Sequence, residues 1–130
     1  MVSRIAQQKV FLKFTLEMSS EAMPTTVQGT IDSTDRCHFV AKFPIDATNT
    51  YSFTGSFEAV VPNLTCRQAI VVYEDLTALD TTAATPTKFT GRVGPFDVQL
   101  NLANGPIIKG VLNASVLSRN LWGTGSWSQS

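Results

Sequence analysis

The segment Phe53-Thr-Gly55-Ser-Phe57 places a glycine between two phenylalanines at the spacing of one face of a β-strand. Because side chains alternate between the two faces, the glycine points to the same side as its apolar neighbours. An inward glycine weakens a strand, so its repetition needs an explanation. Glycine either lets the sheet coil into a barrel or leaves space inside one. The same pattern recurs at Val27-Gln-Gly29-Thr-Ile31, Phe89-Thr-Gly91-Arg-Val93, Ile108-Lys-Gly110-Val-Leu112 and, on one side only, Thr124-Gly125-Ser-Trp127. The repeated motif therefore predicts a β-barrel with an internal apolar cavity.

Alternation and turn residues divide the rest of the chain into short strands, and helical periodicity is almost absent. The long connection 75–87 has room for one helical turn, and strand 66–74 is apolar on both faces, which is typical of a covered central strand. The predicted strands are 8–18, 25–32, 36–45, 50–61, 66–74, 88–93, 96–102, 107–116 and 123–128. We predict a single all-β domain over residues 1–130, an antiparallel up-and-down β-barrel, or barrel-like sandwich, of eight or nine short strands.

Charge limits the kinds of partner that the chain can have. Ten basic and ten acidic residues give a formal net charge of zero, and the basic residues are scattered singly between apolar positions. Nucleic-acid binding needs a concentrated basic patch, and so does electrostatic attachment to a membrane. No run of apolar residues approaches the roughly 18 that a membrane-spanning helix requires. We therefore expect neither nucleic acid nor membrane as a partner.

The two cysteines, Cys37 and Cys66, bear on the compartment. In an up-and-down meander their strands would lie two spacings apart, roughly 9.6 Å. A disulfide needs Cα atoms within about 7 Å, so we predict free, largely buried thiols and favour a reducing, cytoplasmic compartment. Two glycosylation tripeptides, Asn63-Leu-Thr65 and Asn113-Ala-Ser115, keep a secreted chain as the alternative.

Metal chemistry has little support in the sequence. His38 is the sole histidine and is predicted to face outward from a strand, and one His with two separated Cys fits no common zinc spacing. The aspartates lie in or beside predicted turns, where their side chains cap backbone N–H groups, and no calcium-loop motif is present. These are Asp32, Asp35, Asp46, Asp75, Asp80 and Asp97. We predict no metal and no cofactor.

Three classes of function fit this pattern. The first is a non-enzymatic module that binds an apolar or amphipathic small molecule in the barrel cavity. The second is a lectin-like or self-associating interaction domain, with a glycan ligand or with homo-oligomers formed through rim loops or an open sheet edge. The third, which we favour less because no catalytic motif is present, is a cofactor-free cyclase or isomerase that uses Tyr73, Glu74 and Tyr51 at the barrel mouth.

The binding hypotheses have their own candidate residues. The two tryptophans near the C-terminus have rings suited to stacking on a sugar or an apolar ligand. Arg92 faces away from the interior, so we expect it to be exposed to solvent. The predicted ligand-binding residues are Phe53, Gly55, Phe57, Phe89, Gly91, Trp122 and Trp127.

Overall fold

The computed structural model of the chain describes residues 24–130, which form eight antiparallel strands and one short 3-10 helix. The strands are β1 (Thr25–Ser33), β2 (His38–Pro44), β3 (Thr50–Phe57), β4 (Thr65–Tyr73), β5 (Thr87–Val93), β6 (Asp97–Leu102), β7 (Ile107–Val111) and β8 (Arg119–Gln129). The 3-10 helix, Leu76–Ala78, lies in the long connection between β4 and β5, where the sequence predicts a helical turn. The predicted strand 8–18 lies outside the described residues.

The strands close into a barrel in the order β1-β2-β3-β8-β5-β6-β7-β4, and β4 pairs with β1 to complete the circle. The all-β class and the closed antiparallel barrel of eight strands are therefore confirmed. The strand order differs from the predicted up-and-down meander, because β4 returns beside β1 and β8 returns beside β5. Each half of the chain is thus a Greek key, and the two Greek keys follow one another in sequence.

The departure from a meander arises at three connections. One, 74–86, joins β4 to the non-adjacent β5 at one end of the barrel. The other two, 58–64 and 112–118, leave the sheet at the opposite end. There β3 ends at Phe57 and β7 ends at Val111, several residues earlier than predicted. Past these points the chain crosses the barrel end, where Val61 donates a backbone hydrogen bond to Arg36 and is itself buried. Turn residues mark where a strand stops, but they do not show which way the chain then travels.

The two Greek keys repeat one local geometry. Gly29 and Gly91 lie in the first strand of each key, and Gly55 and Gly110 lie in the third. A Cβ atom at Gly29 would lie 1.9 Å from a carbonyl oxygen of β2, and one at Gly91 would lie 1.8 Å from a carbonyl oxygen of β6. Both approaches are far inside van der Waals contact, so only glycine lets the first two strands of each key come this close.

Aromatic rings fill the space beside the inward glycines. Ring atoms of Phe39 lie 2.5 Å from where a Cβ of Gly55 would be, and ring atoms of Phe53 lie equally close to that of Gly125. Burial of each phenylalanine stabilises the fold by about 1.5–3 kcal/mol. The buried rings that pack against one another are Phe39, Phe43, Phe53, Phe57, Phe89 and Trp127. The glycines face the interior as predicted, but the rings occupy the room that an apolar cavity needs.

The prediction that strand 66–74 is covered on both faces is wrong. In β4 the alternate residues Ala69 and Val71 are buried in the barrel, whereas Ile70 and Val72 on the opposite face remain partly exposed. A closed barrel covers only the inner face of each strand, so these outward apolar side chains keep contact with solvent.

Aspartate side chains cap turns at four of the six predicted positions, Asp35, Asp46, Asp75 and Asp80, whereas Asp32 and Asp97 lie within β1 and β6. Asp46 accepts hydrogen bonds from the backbone N–H groups of Thr48 and Asn49 at 2.9 Å, and Asp75 caps the 3-10 helix through the N–H of Thr77 at 3.0 Å. These bonds favour the charged carboxylate. The side-chain amide of Asn49 and the N–H of Thr48 hold the pKa of Asp46 below its usual value, and the N–H of Thr77 does the same for the pKa of Asp75.

We expect Asp46→Ala to lower the melting temperature at neutral pH and to make stability less sensitive to acid. A carboxyl whose pKa is lower in the folded than in the unfolded chain stabilises the fold above its unfolded pKa, and this is lost as the pH falls below about 4. Thermal melts across that range, with the exposed Glu74→Ala as the matched control, check the effect. An unchanged acid response in Asp46→Ala contradicts it.

Both cysteines are free thiols, as predicted, but their surroundings differ. Cys66 lies in β4 and is buried, whereas Cys37 precedes β2 and is half-buried. Burial, with a smaller contribution from the charges of Asp32 and Asp97, raises the pKa of the Cys66 thiol to about 11. Because the thiolate is the reactive form, we expect the Cys66 thiol to be unreactive while the protein is folded.

A thiol reagent at mildly alkaline pH should therefore modify Cys37 and leave Cys66 unmodified in the native protein. Unfolding in denaturant should make both thiols reactive, because it removes the burial that raises the Cys66 pKa. Counting the modified groups by absorbance gives one thiol in the native wild type and none in native Cys37→Ser. Rapid modification of native Cys37→Ser would show that Cys66 is accessible.

Candidate functional site

The structure separates the predicted ligand-binding residues into two groups. Five of them belong to the packed interior: Phe53, Gly55, Phe57, Phe89 and Trp127. The other two, Gly91 and Trp122, line a groove on the outside of the barrel. The side chain of Trp127 is only 4% exposed, whereas that of Trp122 is 49% exposed. The two tryptophans therefore lie on opposite faces of β8, and only Trp122 is open to a ligand.

The groove runs across β8, β5 and β6 and has a volume of about 620 Å³. We call it the Trp122 groove. Since Gly91 has no side chain, its main chain forms part of the floor. The lining residues are Thr90, Gly91, Arg92, Gln99, Asn101, Asn120, Leu121 and Trp122.

Strand alternation places the polar side chains of this groove. In β8 the residues Leu121 and Gly123 are buried, so Trp122 between them points outward. Across the sheet, Trp122 is paired with Thr90 of β5, and Thr90 is paired with Asn101 of β6. The groove thus has one row that consists of an indole, a hydroxyl and an amide.

The neighbouring row of the groove carries its charge. Arg92 of β5 is paired with Asn120 on one side and with Gln99 on the other. Side chains two positions along on a paired strand lie roughly 7–8 Å apart, within reach of long side chains, and this is the relation of Arg92 to Trp122. The amide of Gln99 donates to Asn101 Oδ1 at 2.9 Å, which leaves the Gln99 oxygen and the Asn101 NH₂ group open to a ligand.

A second groove of about 640 Å³ lies over β1, β4 and β7. Its lining includes Arg67, Asp97 and Lys109 as well as the backbone next to Gly29 and Gly110. Basic and acidic side chains are both present there, and no aromatic ring lines it. Size does not distinguish the two grooves, so the exposed indole is the feature that favours the Trp122 groove as a binding site.

The residues predicted for the enzyme hypothesis lie at the opposite end of the barrel from the connections 58–64 and 112–118. Burial, helped by the nearby Tyr51, raises the pKa of Tyr73 and so favours its neutral form. Glu74 is exposed to solvent. Tyr51 lines a surface depression beside the 3-10 helix, whereas Tyr73 and Glu74 line a separate one beside Asn104. The three side chains do not converge on one pocket.

His38 is exposed on the barrel surface, as predicted. Its Nδ1 lies 2.8 Å from Oδ1 of Asp35, and this carboxylate also accepts the backbone N–H of Cys37 at 2.7 Å. The Asp35–His38 contact therefore stabilises the turn that precedes β2. Within residues 24–130, no group of three or more His, Cys, Asp or Glu side chains is placed to hold a metal ion. Nor does this part of the chain contain a helix long and apolar enough to cross a membrane.

The amide side chains of the Trp122 groove, Gln99, Asn101 and Asn120, were not predicted from the sequence. The pattern correctly places Arg92 on the outer face of β5, but its partners Gln99 and Asn120 become visible only with the register of β6 and β8. The alternating polar residues Gln99 and Asn101 of β6 are the signal that was available. No protein-family model, no curated protein and no solved structure matches this chain.

Proposed function

We propose that the protein is a binding module that holds a saccharide in the Trp122 groove. The observation that carries this proposal is the half-exposed indole of Trp122 beside side chains that both donate and accept hydrogen bonds. A sugar ring presents C–H groups on its faces and hydroxyls around its edge. An indole matches the faces, while amide, guanidinium and hydroxyl groups match the edge.

The interior of the barrel is a less suitable ligand site than the Trp122 groove. A ligand inside the barrel must displace rings such as Phe39 and Phe53, which are fully buried and pack at a centroid distance of 6.1 Å. Cores packed in this way lose several kcal/mol, roughly 3–5, when a phenylalanine is removed. The outer groove needs no such rearrangement, because its polar side chains are already at the surface.

The strength of binding follows from the shape of the site. The groove is open to solvent and shallow compared with an enclosed pocket, so a single saccharide unit contacts the protein on one side only. We therefore expect an extended oligosaccharide, which contacts both the Trp122 row and the Arg92 row, to bind more tightly than a monosaccharide. Each additional contact contributes without further loss of translational freedom.

A glycan array probed with the labelled full chain tests the proposal directly. Binding to one or more oligosaccharides, repeated in solution by isothermal titration calorimetry, supports it. The same ligand should shift the NMR signals of the Trp122 indole and of the Asn101 side-chain amide, and should leave the buried Trp127 indole unaffected. Binding that perturbs only residues outside the groove overturns the assignment of the site, and an array without binding overturns the function.

A further inference from the structure

We propose that the saccharide is acidic and that its carboxylate or sulfate group binds Arg92. This inference rests on the proposed function and names the class of ligand for the same groove. It starts from the charge state of the lining residues: Arg92 is the only charged side chain among them, and the other polar members are neutral amides and a hydroxyl.

Arg92 is free to bind an anion. The residues paired directly with it, Asn120 and Gln99, carry no charge, and Arg92 takes part in no salt bridge within residues 24–130; the one contact of that kind there joins His38 to Asp35 on another part of the barrel. A guanidinium presents a planar fork of N–H donors that matches the two oxygens of a carboxylate or sulfate. Asp97 of β6 is exposed two positions from Gln99 on the same outer face, but it forms no salt bridge with Arg92, so no carboxylate within residues 24–130 occupies that fork.

The charged residues around the groove are distributed unevenly on the two sides of Trp122. Lys88 lies on the same outer face of β5, and Lys109 of β7 is paired with Gln99, so two further cations lie on the Arg92 side. Glu58 lies on the opposite side of Trp122, where its backbone N–H donates to the Trp122 carbonyl at 2.9 Å. Asp97, which also faces outward on β6, is an acidic side chain on the β5–β6 side. Three cations, Arg92, Lys88 and Lys109, outweigh it there, so an anionic group is attracted toward Arg92 and repelled from Glu58. The sugar unit that stacks on Trp122 thus has its acidic group, or an acidic neighbour, beside Arg92.

The experiment compares matched ligands that differ only in charge. The probes are an oligomer of hexuronic acid and its carboxyl-reduced form, and a sulfated oligosaccharide and its desulfated form. For the wild-type protein we expect at least one acidic ligand to bind about tenfold more tightly than its neutral counterpart, with a preference that weakens as salt is added. The two pairs together show whether carboxylate or sulfate is the source of the recognition.

Variants assign that preference to Arg92. Arg92→Gln should remove most of the difference in affinity between the acidic ligand and its neutral counterpart, because the glutamine amide keeps a hydrogen-bond donor but carries no charge. The exposed side chain supports no core contact, so the variant should stay folded. Arg92→Lys keeps the charge without the planar fork and should retain part of the preference. Arg67→Gln, which removes a cation from the second groove, is the matched control and should change nothing.

The outcomes separate this inference from the proposed function. Equal binding of acidic and neutral ligands by the wild type overturns the inference, while the glycan-binding function stands. A preference that survives in Arg92→Gln also overturns it, since other groups must then recognise the anion. If none of the four ligands binds although the array detects neutral glycans, the inference again fails alone. If the array detects no binding at all, both fail.

Discussion

Replacement of Trp122 by alanine should weaken saccharide binding by about 30-fold or more while leaving the barrel folded. Large aromatic side chains at the centre of a binding surface contribute about 2 kcal/mol or more, which corresponds to this factor. The variant should fold normally because Trp122 is 49% exposed and points away from the core. Isothermal titration calorimetry measures the affinity, and a thermal melt verifies the fold.

Two further variants make the Trp122→Ala experiment specific. Trp122→Phe keeps an aromatic face and should lose only part of the affinity. Phe96→Ala removes another exposed aromatic ring, which is 69% exposed at the barrel end and outside the groove, and should bind like the wild type. Unchanged binding by a folded Trp122→Ala would show that the saccharide is held elsewhere.

The second large effect concerns stability. Gly29→Ala should destabilise the protein by more than about 3 kcal/mol, at the upper end of the cost of overpacking. The added Cβ would lie 1.9 Å from the carbonyl oxygen of Lys42 and 2.5 Å from the ring of Phe43. No side-chain rotation relieves a clash with main chain, so β1 and β2 must move apart. Urea unfolding with an unchanged m-value measures the loss.

Gly110→Ala provides the graded control for this prediction. Its Cβ would meet the Cβ and Sγ atoms of Cys66 at 2.9 and 3.0 Å, a much smaller overlap than the 1.9 Å approach at Gly29. The Sγ atom can rotate away, and the Cβ atom needs only a small shift of the backbone. The expected loss is smaller, about 1 kcal/mol. A loss in Gly29→Ala no larger than that in Gly110→Ala would contradict the assignment of the close approach to the backbone of β2.

The strands were predictable because two local signals agree. In β6, Val98, Leu100 and Leu102 alternate with polar residues, and Gly105 next to them has φ +121, as a tight turn demands. Local patterns of this kind locate strands and their inner faces. They do not determine strand order, which here depends on the paths of the connections 58–64, 74–86 and 112–118 across the two ends of the barrel.

The site was less predictable than the fold for a related reason. The inward glycines indicated space, but whether that space stays empty depends on how rings such as Phe39 and Phe53 lean from neighbouring strands. The same holds for the outer groove, since the contact of Arg92 with its neighbours depends on the register of β5 against β6 and β8. Register pairs residues that are far apart in sequence, so the local pattern of hydrophobic and polar residues does not determine it.

Closure of the barrel has a consequence for how this chain tolerates a net charge of zero. Every strand within residues 24–130 has a hydrogen-bonded neighbour on both sides, so none offers an exposed ladder of N–H and C=O groups to another molecule. Open sheets need lysines, prolines or bulges at their margins to prevent fibril-like stacking. A net charge of zero gives no mutual repulsion between molecules in solution. Because the barrel has no open edge strand, its outward positions on β3 and β8 can nevertheless carry serine and threonine.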